Sequence, residues 1–425
     1  MQSDLTDSPA HVTPAYDHIV AKEAVALAES LLSESLQIKT SAETAQMARV
    51  GQLVQSSQAK SLSMLMTDRL FRSRTAERTA KGWRAILKQV GIGEGFGFWD
   101  RMQLRVGAAA SKYLPGVVMD LVRKRLRNEA RDVILSAEEP NLTDHLASRR
   151  RDGVGLNLNQ LGEAVLGEEQ AANRLEALLA LLNRPDVDYV SVKVSAIFSQ
   201  INLVAPEATL EAIKERLRLL YRAALPERKF VNLDMEEYRD LALTVAAFRE
   251  VLNEPEFKQL PAGLVLQAYL PDSITVQQEL TAWAQERVAG GGERIKVRIV
   301  KGANLAMETV EAELHDWNPA PHRSKHETDA GFRRMLEFAC QPENTKAVRI
   351  GVASHNLFDI ALALVLRSKN GVEEAVEIEM LEGMAAPQSR AVKERAGDLL
   401  VYAPIVNDGD FGSALAYLIR RLDEN

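Results

Sequence analysis

From residue 154 onward the chain alternates short β-branched runs with amphipathic stretches, and this alternation limits the fold more than any other feature. Strand-type runs fall at 154–158, 189–195, 230–234, 263–269, 296–300, 349–353, 376–380 and 399–405. Stretches of helical period separate them, among them 168–182, 206–223, 242–252 and 275–288, and a longer insert at 304–341 follows the fifth run. Strands joined through helices run parallel, because the chain must cross back before the next strand begins. Eight such units predict an α/β fold of the (β/α)8 TIM-like barrel type. A doubly wound open sheet gives the same alternation. The count of eight, and the lack of a Gly-rich dinucleotide fingerprint after the first run, favour the barrel.

Ahead of the barrel the texture is helical. Residues 1–17 are polar and proline-containing and read as disordered; 18–150 form an all-helical region, and 151–425 the barrel domain. In 18–36, Val20, Ala24, Leu27 and Leu31 make a stripe that Leu32 and Leu36 extend. Residues 75–90 form a second helix with Gly91 as its C-terminal cap. A third, 115–131, carries a basic face of Arg123, Lys124, Arg125, Arg127 and Arg131, read as solvated surface with phosphate binding as the alternative.

Composition narrows the function classes. Lys plus Arg is 52 and Asp plus Glu is 59, a net charge of -7, which argues against a nucleic-acid protein. The one cysteine, Cys340, excludes an internal disulfide, suits a reducing compartment and reads as a small buried apolar residue. The first residues lack the basic region and apolar core of a secretory signal, and no run reaches the ~18 apolar residues of a membrane span. A cytoplasmic protein is expected, with peripheral membrane contact left open.

In a barrel the catalytic residues sit at the C-terminal strand ends. Those ends carry Lys193, then Asp234 with Glu236 and Glu237, then Gln267, then Arg298 and Lys301. Ser354, His355 and Asn356 follow the sixth run, Glu382 and Gly383 the seventh, and Tyr402 lies in the eighth. Each alone has an ordinary reading; Lys193 with Asp234, for example, could be an ion pair of the barrel interior. Their recurrence at one end of seven strands points to a site, since burying them idle would cost several kcal/mol. In VKGAN, Gly302 lets the backbone approach a ligand and Lys301 adds a point charge for a phosphate. The final helix sets Phe411, Ala414, Leu415, Leu418 and Leu422 on one face and Tyr417, Arg420, Arg421 and Glu424 on another. One reading is an exposed face with an Arg420–Glu424 pair. The other is two guanidiniums over the barrel mouth, whose planar forks match a carboxylate.

Eight blocks in order, YVSVKVS, FVNLDMEEYRDL, LVLQAYLPDS, IKVRIVKGAN, GVASHNLFDIA, EMLEGMA, VYAPIV and AYLIRRLDEN, resemble the barrel strands and last helix of proline dehydrogenases. The nearest likeness is to the proline dehydrogenase part of bacterial proline utilization A flavoproteins. It covers 153–425 and, more loosely, the helical region before it. The resemblance implies a non-covalent FAD, L-proline as substrate, transfer of hydride from proline C5 to flavin N5, and pyrroline-5-carboxylate as product. It implies that Arg420 and Arg421 grip the proline carboxylate with help from Lys193, that Asp234 positions Lys193 and substrate, and that Leu381, Tyr402 and Tyr417 wall the ring. Arg298 would sit by flavin N5 and Gln267 would bond the flavin ring. Lys301, Gly302 and Ala303 would hold the phosphates, and Ser324 and Lys325 would reach the adenosine end. Met235, Val300, Ser354 and His355 would complete the cofactor contacts, with Glu424 paired to an arginine of the last helix. No metal is implied.

Asn304 departs from the aromatic residue that many members carry after KGA. The family likeness also implies a quinone electron acceptor, transient contact with the inner membrane and a homo-oligomer. Nothing in the chain resembles the aldehyde dehydrogenase that follows in bifunctional relatives, nor their DNA-binding segment, so a stand-alone enzyme or a fragment is expected. Two other readings stay open: a Schiff-base aldolase using Lys193 or Lys301, and a non-catalytic interaction protein binding through 18–150.

Overall fold

The computed structural model describes residues 15–44, 65, 75–91, 98–130, 133–162, 165–411 and 414. Eight parallel strands close into a barrel: β2 (Gly155–Gln160), β3 (Tyr189–Lys193), β4 (Phe230–Asp234), β5 (Ala262–Gln267), β6 (Ile295–Val300), β7 (Val348–Ala353), β8 (Val376–Leu381) and β9 (Leu400–Val406). They pair in sequence order, and β9 closes the ring by pairing with both β8 and β2. The expected runs match these strands to within two residues at each end (the open-sheet alternative is ruled out by the closure).

A ninth strand, β1 (Leu135–Ser136), lies in the region expected to be all helical and pairs with Ile405 and Val406 of β9. Ile405 also pairs with Gln160, so β1 must lie on the β8 side, beyond the last β8–β9 pair at Leu381 and Tyr402. Two residues are too few to show a period of two, which is why pattern reading misses it.

The strand period decides what faces where. In β3, β4, β6, β7 and β8 the outward positions are Val190, Val192, Val231, Leu233, Val297, Ile299, Ile350, Val352, Ile378 and Met380, all in the main core cluster. Each buries a side chain worth about 1.5–3 kcal/mol against the surrounding helices. The inward positions are different in kind: Ser191, Asn232, Asp234, Lys296, Arg298, Glu379 and Tyr402 are buried and polar. Most barrels fill this space with layers of branched apolar residues. Gly351 of β7 makes room for the charges, since a Cβ there would stand 2.0 Å from Glu379 Oε1 and 2.8 Å from Lys296 Cε.

Helix α1 (Ala15–Gln37) precedes a separate group formed by α2 (Ala76–Val90), α3 (Phe98–Ala110) and α4 (Pro115–Ala130), and α5 (Asn141–Arg151) leads into the barrel. The outer ring comprises α6 (Glu168–Leu182), α7 (Pro206–Ala224), α8 (Leu241–Leu252), α9 (Ser273–Ala289), α11 (Lys325–Ala339), α12 (Leu357–Asn370) and α13 (Ala386–Ala396). The insert after β6 is helical: α10 (Leu305–His315) leads into α11. Helix α1 already begins at Ala15, three residues inside the stretch read as disordered.

Helix α1 packs on α12 through Ala24, Ala28 and Ala361, whose small side chains let the helices approach closely. Ion pairs of Lys369 with Glu23 and of Arg390 with Glu43, at 2.9 and 2.7 Å, flank that contact. Val20 and Leu31 join the main core, but Leu32 and Leu36 are exposed. The buried stripe runs 20, 24, 28, 31 and 35, so those two leucines lie one residue off it. In α2, Trp83 lies against Gly107 of α3, where a Cβ would come within 2.8 Å of its ring. The basic face of α4 is mostly exposed, and Arg127 lies 5.1 Å over the Phe411 ring. Cys340 is fully buried, and burial pushes its thiol pKa up to about 12, as befits a packing residue. No helix among the described residues is long and apolar enough to cross a membrane.

Candidate active site

The C-terminal ends of β3 to β9 bring most of the singled-out residues to one rim. Asp234, at the end of β4, is almost fully buried and meets three partners. It accepts hydrogen bonds from the Tyr402 hydroxyl at 2.7 Å and from Asn232 Nδ2 at 3.2 Å, and Arg298 Nη1 stands 3.5 Å away. The Arg298 guanidinium lies 4.5 Å over the Tyr402 ring. Its Nε stands 2.8 Å from Glu379 Oε2, and the other Glu379 oxygen stands 2.6 Å from Lys296 Nζ. Lys296 also reaches Glu377 at 2.6 Å. A column of alternating charges therefore runs along the barrel interior: Glu377, Lys296, Glu379, Arg298, Asp234. At Glu379 the contacts are Coulombic, since neither carboxylate oxygen is aligned as a hydrogen-bond acceptor.

Burial alone would lower the pKa of Lys296 and of Arg298. For both the carboxylates outweigh it, Glu379 foremost, and the net shift is upward. Both groups are thus held as cations inside the barrel.

Lys193 departs from the expected pairing. It is the register partner of Asp234 across β3 and β4. Yet its ammonium stands 2.8 Å from Glu236, which also accepts from the Ser195 hydroxyl. Glu236 lies past the end of β4, where the chain leaves the sheet and its carboxylate swings toward β3. Gln267, at the end of β5, donates from Nε2 to the Glu236 carbonyl at 3.1 Å, while its Oε1 is buried with no partner among the described residues. Met235 is buried beside this group and Val300 half-buried at the end of β6.

His355 follows β7. Its Nε2 accepts the Leu381 backbone N–H at 2.8 Å, so the neutral ring carries its proton on Nδ1. That Nδ1 is buried with no partner among the described residues, and burial lowers the imidazole pKa to about 4. Leu381 is half-buried.

The KGA segment is built differently from the expectation. Lys301 Nζ lies 2.6 Å from Asp329 and 2.9 Å from Asp359, and Ser354 donates to Asp359 at 2.9 Å. The ammonium expected to face a phosphate is thus held by carboxylates from α11 and α12. Burial would lower its pKa, but those two hydrogen bonds raise it overall. Gly302 adopts φ 125°, and a Cβ there would stand 1.9 Å from the Tyr269 ring, so its missing side chain makes room for Tyr269. Ala303 is half-buried. Ser324 and Lys325 are exposed at the start of α11, where Ser324 and Glu327 form a capping box. Tyr417, Arg420, Arg421 and Glu424 lie outside the described residues.

Two features were missed from sequence: Glu379 itself, and the partners of Glu382, a residue the strand ends do single out. Glu379 occupies the hub of the charge column, and the only signal for it was the spacing of Glu377 and Glu379 on the inward face of β8. Glu382, nearly fully buried at the end of β8, pairs with Arg149 and lies 3.5 Å from His145, both on α5. Those partners are more than 200 residues away in the chain, and no local pattern could announce them. The rim offers a fixed guanidinium on an aromatic face, an unpartnered amide oxygen and an unpartnered imidazole N–H. Such a set suits a planar, hydrogen-bonding ligand in a low-dielectric pocket.

The family model for proline dehydrogenase matches residues 142–425. Among curated proteins, the bifunctional protein PutA of Escherichia coli (strain K12) is 26% identical over 244 residues, 56% of this chain and 18% of that protein. Among solved structures, proline utilization A from Corynebacterium freiburgense is 45% identical and covers 79% of this chain and 34% of that one, with a TM-score of 0.69. Proline utilization A from Bdellovibrio bacteriovorus, inactivated by N-propargylglycine, is 28% identical and covers 96% of this chain and 42% of that one, with a TM-score of 0.80. The chain thus spans less than half the length of each of these relatives.

Proposed function

We infer the activity from one premise: the chain belongs to the proline dehydrogenase family, whose model matches residues 142–425. The proposal is FAD-dependent oxidation of L-proline to pyrroline-5-carboxylate. The observation that carries it is the Arg298 guanidinium, fixed inside the barrel mouth by Glu379 and Asp234 and stacked on Tyr402. The residues present fit a flavin, since Gln267 Oε1 and His355 Nδ1, one acceptor and one donor, are buried on either side of β6 with no partner of their own among the described residues. When bound, FAD would take up a hydride equivalent from proline C5.

The protein's part is orientation, charge matching and exclusion of water. Arg298 would stabilise negative charge developing on the reduced ring system, and Glu379 and Asp234 keep it in place. Arg420 and Arg421, with Lys193, would hold the proline carboxylate; Leu381, Tyr402 and Tyr417 would confine the ring. Asp234 reaches the substrate site through the Tyr402 hydroxyl, which it holds at 2.7 Å. Met235, Val300, Gly302, Ala303, Ser354 and the α11 start with Ser324 and Lys325 complete the cofactor contacts in this reading, with Glu424 tied to the last helix's arginines. Lys301 would share its ammonium between a phosphate and its two aspartates. Helices before residue 150 would serve as an arm beside the barrel, in a cytoplasmic homo-oligomer that meets a quinone acceptor at the inner membrane.

The Schiff-base alternative needs a free amine, and both candidate lysines are held against carboxylates. The test is product formation. Supplied with FAD, L-proline and a dye acceptor, the protein should yield a product that forms a coloured adduct with o-aminobenzaldehyde. Dye reduction without that adduct, or neither, would overturn the proposal.

A further inference from the structure

At the opposite end of the barrel the strand starts enclose a cavity of about 320 Å³, within the size range of small-molecule sites. One wall is apolar: Tyr189 of β3 and Phe230 of β4 lie with ring centroids 4.5 Å apart. The other is cationic, lined by Arg228, Arg294, Lys296 and Arg349, with Glu293 and Glu377 as the only carboxylates in the lining among the described residues.

Both carboxylates are already engaged. Glu293 pairs with Arg228 at 2.5 Å and Glu377 with Lys296 at 2.6 Å. That leaves two cations. Among the described residues the Arg294 guanidinium makes only a long contact from Nη1 to the Thr345 carbonyl, at 3.5 Å. Arg349 is half-buried and has no hydrogen bond or ion pair among the described residues. Four cations against two carboxylates leave the lining at plus two, or plus one when Glu379, which meets Lys296 from inside the barrel, is counted. Half-buried guanidiniums left uncompensated at a cavity form the complement of an oxyanion, which the planar forks match bidentately.

We propose that this floor cavity binds a small oxyanion, a carboxylate or a phosphate, on Arg349 and Arg294. The site is separate from the mouth and independent of the proline reading. It nevertheless meets the end of the charge column, because Glu377 and Lys296 line the cavity and Lys296 also touches Glu379.

The test is calorimetric titration of the full chain with inorganic phosphate and, separately, acetate, each against chloride at equal ionic strength. One saturable site is expected for at least one oxyanion, and the more strongly bound of the two identifies the source chemistry. Arg349→Gln should weaken it by about tenfold to a hundredfold, the loss of a charge-assisted bond. Arg294→Gln should weaken it by a similar factor, so the proposal stays testable should the first arginine variant fail to fold. Arg421→Met, at the residue proposed to hold the proline carboxylate, should bind as the parent does. Equal heats from chloride, unchanged affinity in Arg349→Gln and Arg294→Gln, or loss of binding in Arg421→Met would each overturn the floor site.

Discussion

Replacing Glu379 by Gln removes the only negative charge between Lys296 and Arg298 while keeping the side chain's shape. Glu379 is fully buried, with one oxygen 2.6 Å from the lysine ammonium and the other 2.8 Å from the guanidinium. With charge centres ~4 Å apart and an effective dielectric of ~20, each contact is worth about 4 kcal/mol before desolvation. Desolvation of the carboxylate offsets much of that sum, and removing one member of a buried pair typically costs about 3–5 kcal/mol. Urea unfolding followed by circular dichroism should therefore show Glu379→Gln less stable by that amount. Adding Lys296→Met should restore part of the loss, because the uncompensated cation goes with it. A loss under about 1 kcal/mol in the single variant, or strictly additive effects in the pair, would refute the charge column as a coupled unit.

Three further outcomes are expected. His355 has a folded pKa of about 4, below the ordinary 6.5, because the ring is buried. Between those values the unfolded state binds more protons, so stability falls as pH drops through the window, by about 3 kcal/mol in all; His355→Asn should lose less than the parent between pH 7 and 4 in unfolding titrations. Tyr402→Phe takes a 2.7 Å donor from the buried Asp234 carboxylate and should cost about 1.5–3 kcal/mol by the same assay. Arg421→Met should raise the KM for proline about tenfold or more while retaining flavin; an unchanged KM would refute the carboxylate role.

The strands were legible because alternation of period two survives in short runs: β4 spans the expected residues, and α6 does as well. In the structure that period turns Lys296, Arg298, Glu377 and Glu379 to the barrel interior, but a period cannot say which charges touch. Lys193 shows the limit. Register sets it beside Asp234, yet its ammonium meets Glu236, a residue outside the ladder whose reach depends on the loop. Lys301 shows another, since its aspartates come from α11 and α12, elements that a reading of strand ends leaves out. The contact of α5 with Glu382 joins a helix ahead of the barrel to the end of its seventh strand, β8, a long-range pairing with no periodic signature.

The most direct measurement of the central claim is the visible spectrum of the purified, FAD-supplied protein under anaerobic conditions, before and after L-proline is added. The account predicts a yellow protein whose flavin bands bleach on addition of proline. A yellow protein that keeps its bands would contradict proline as substrate, and a protein that stays colourless would contradict the flavin site built around Arg298.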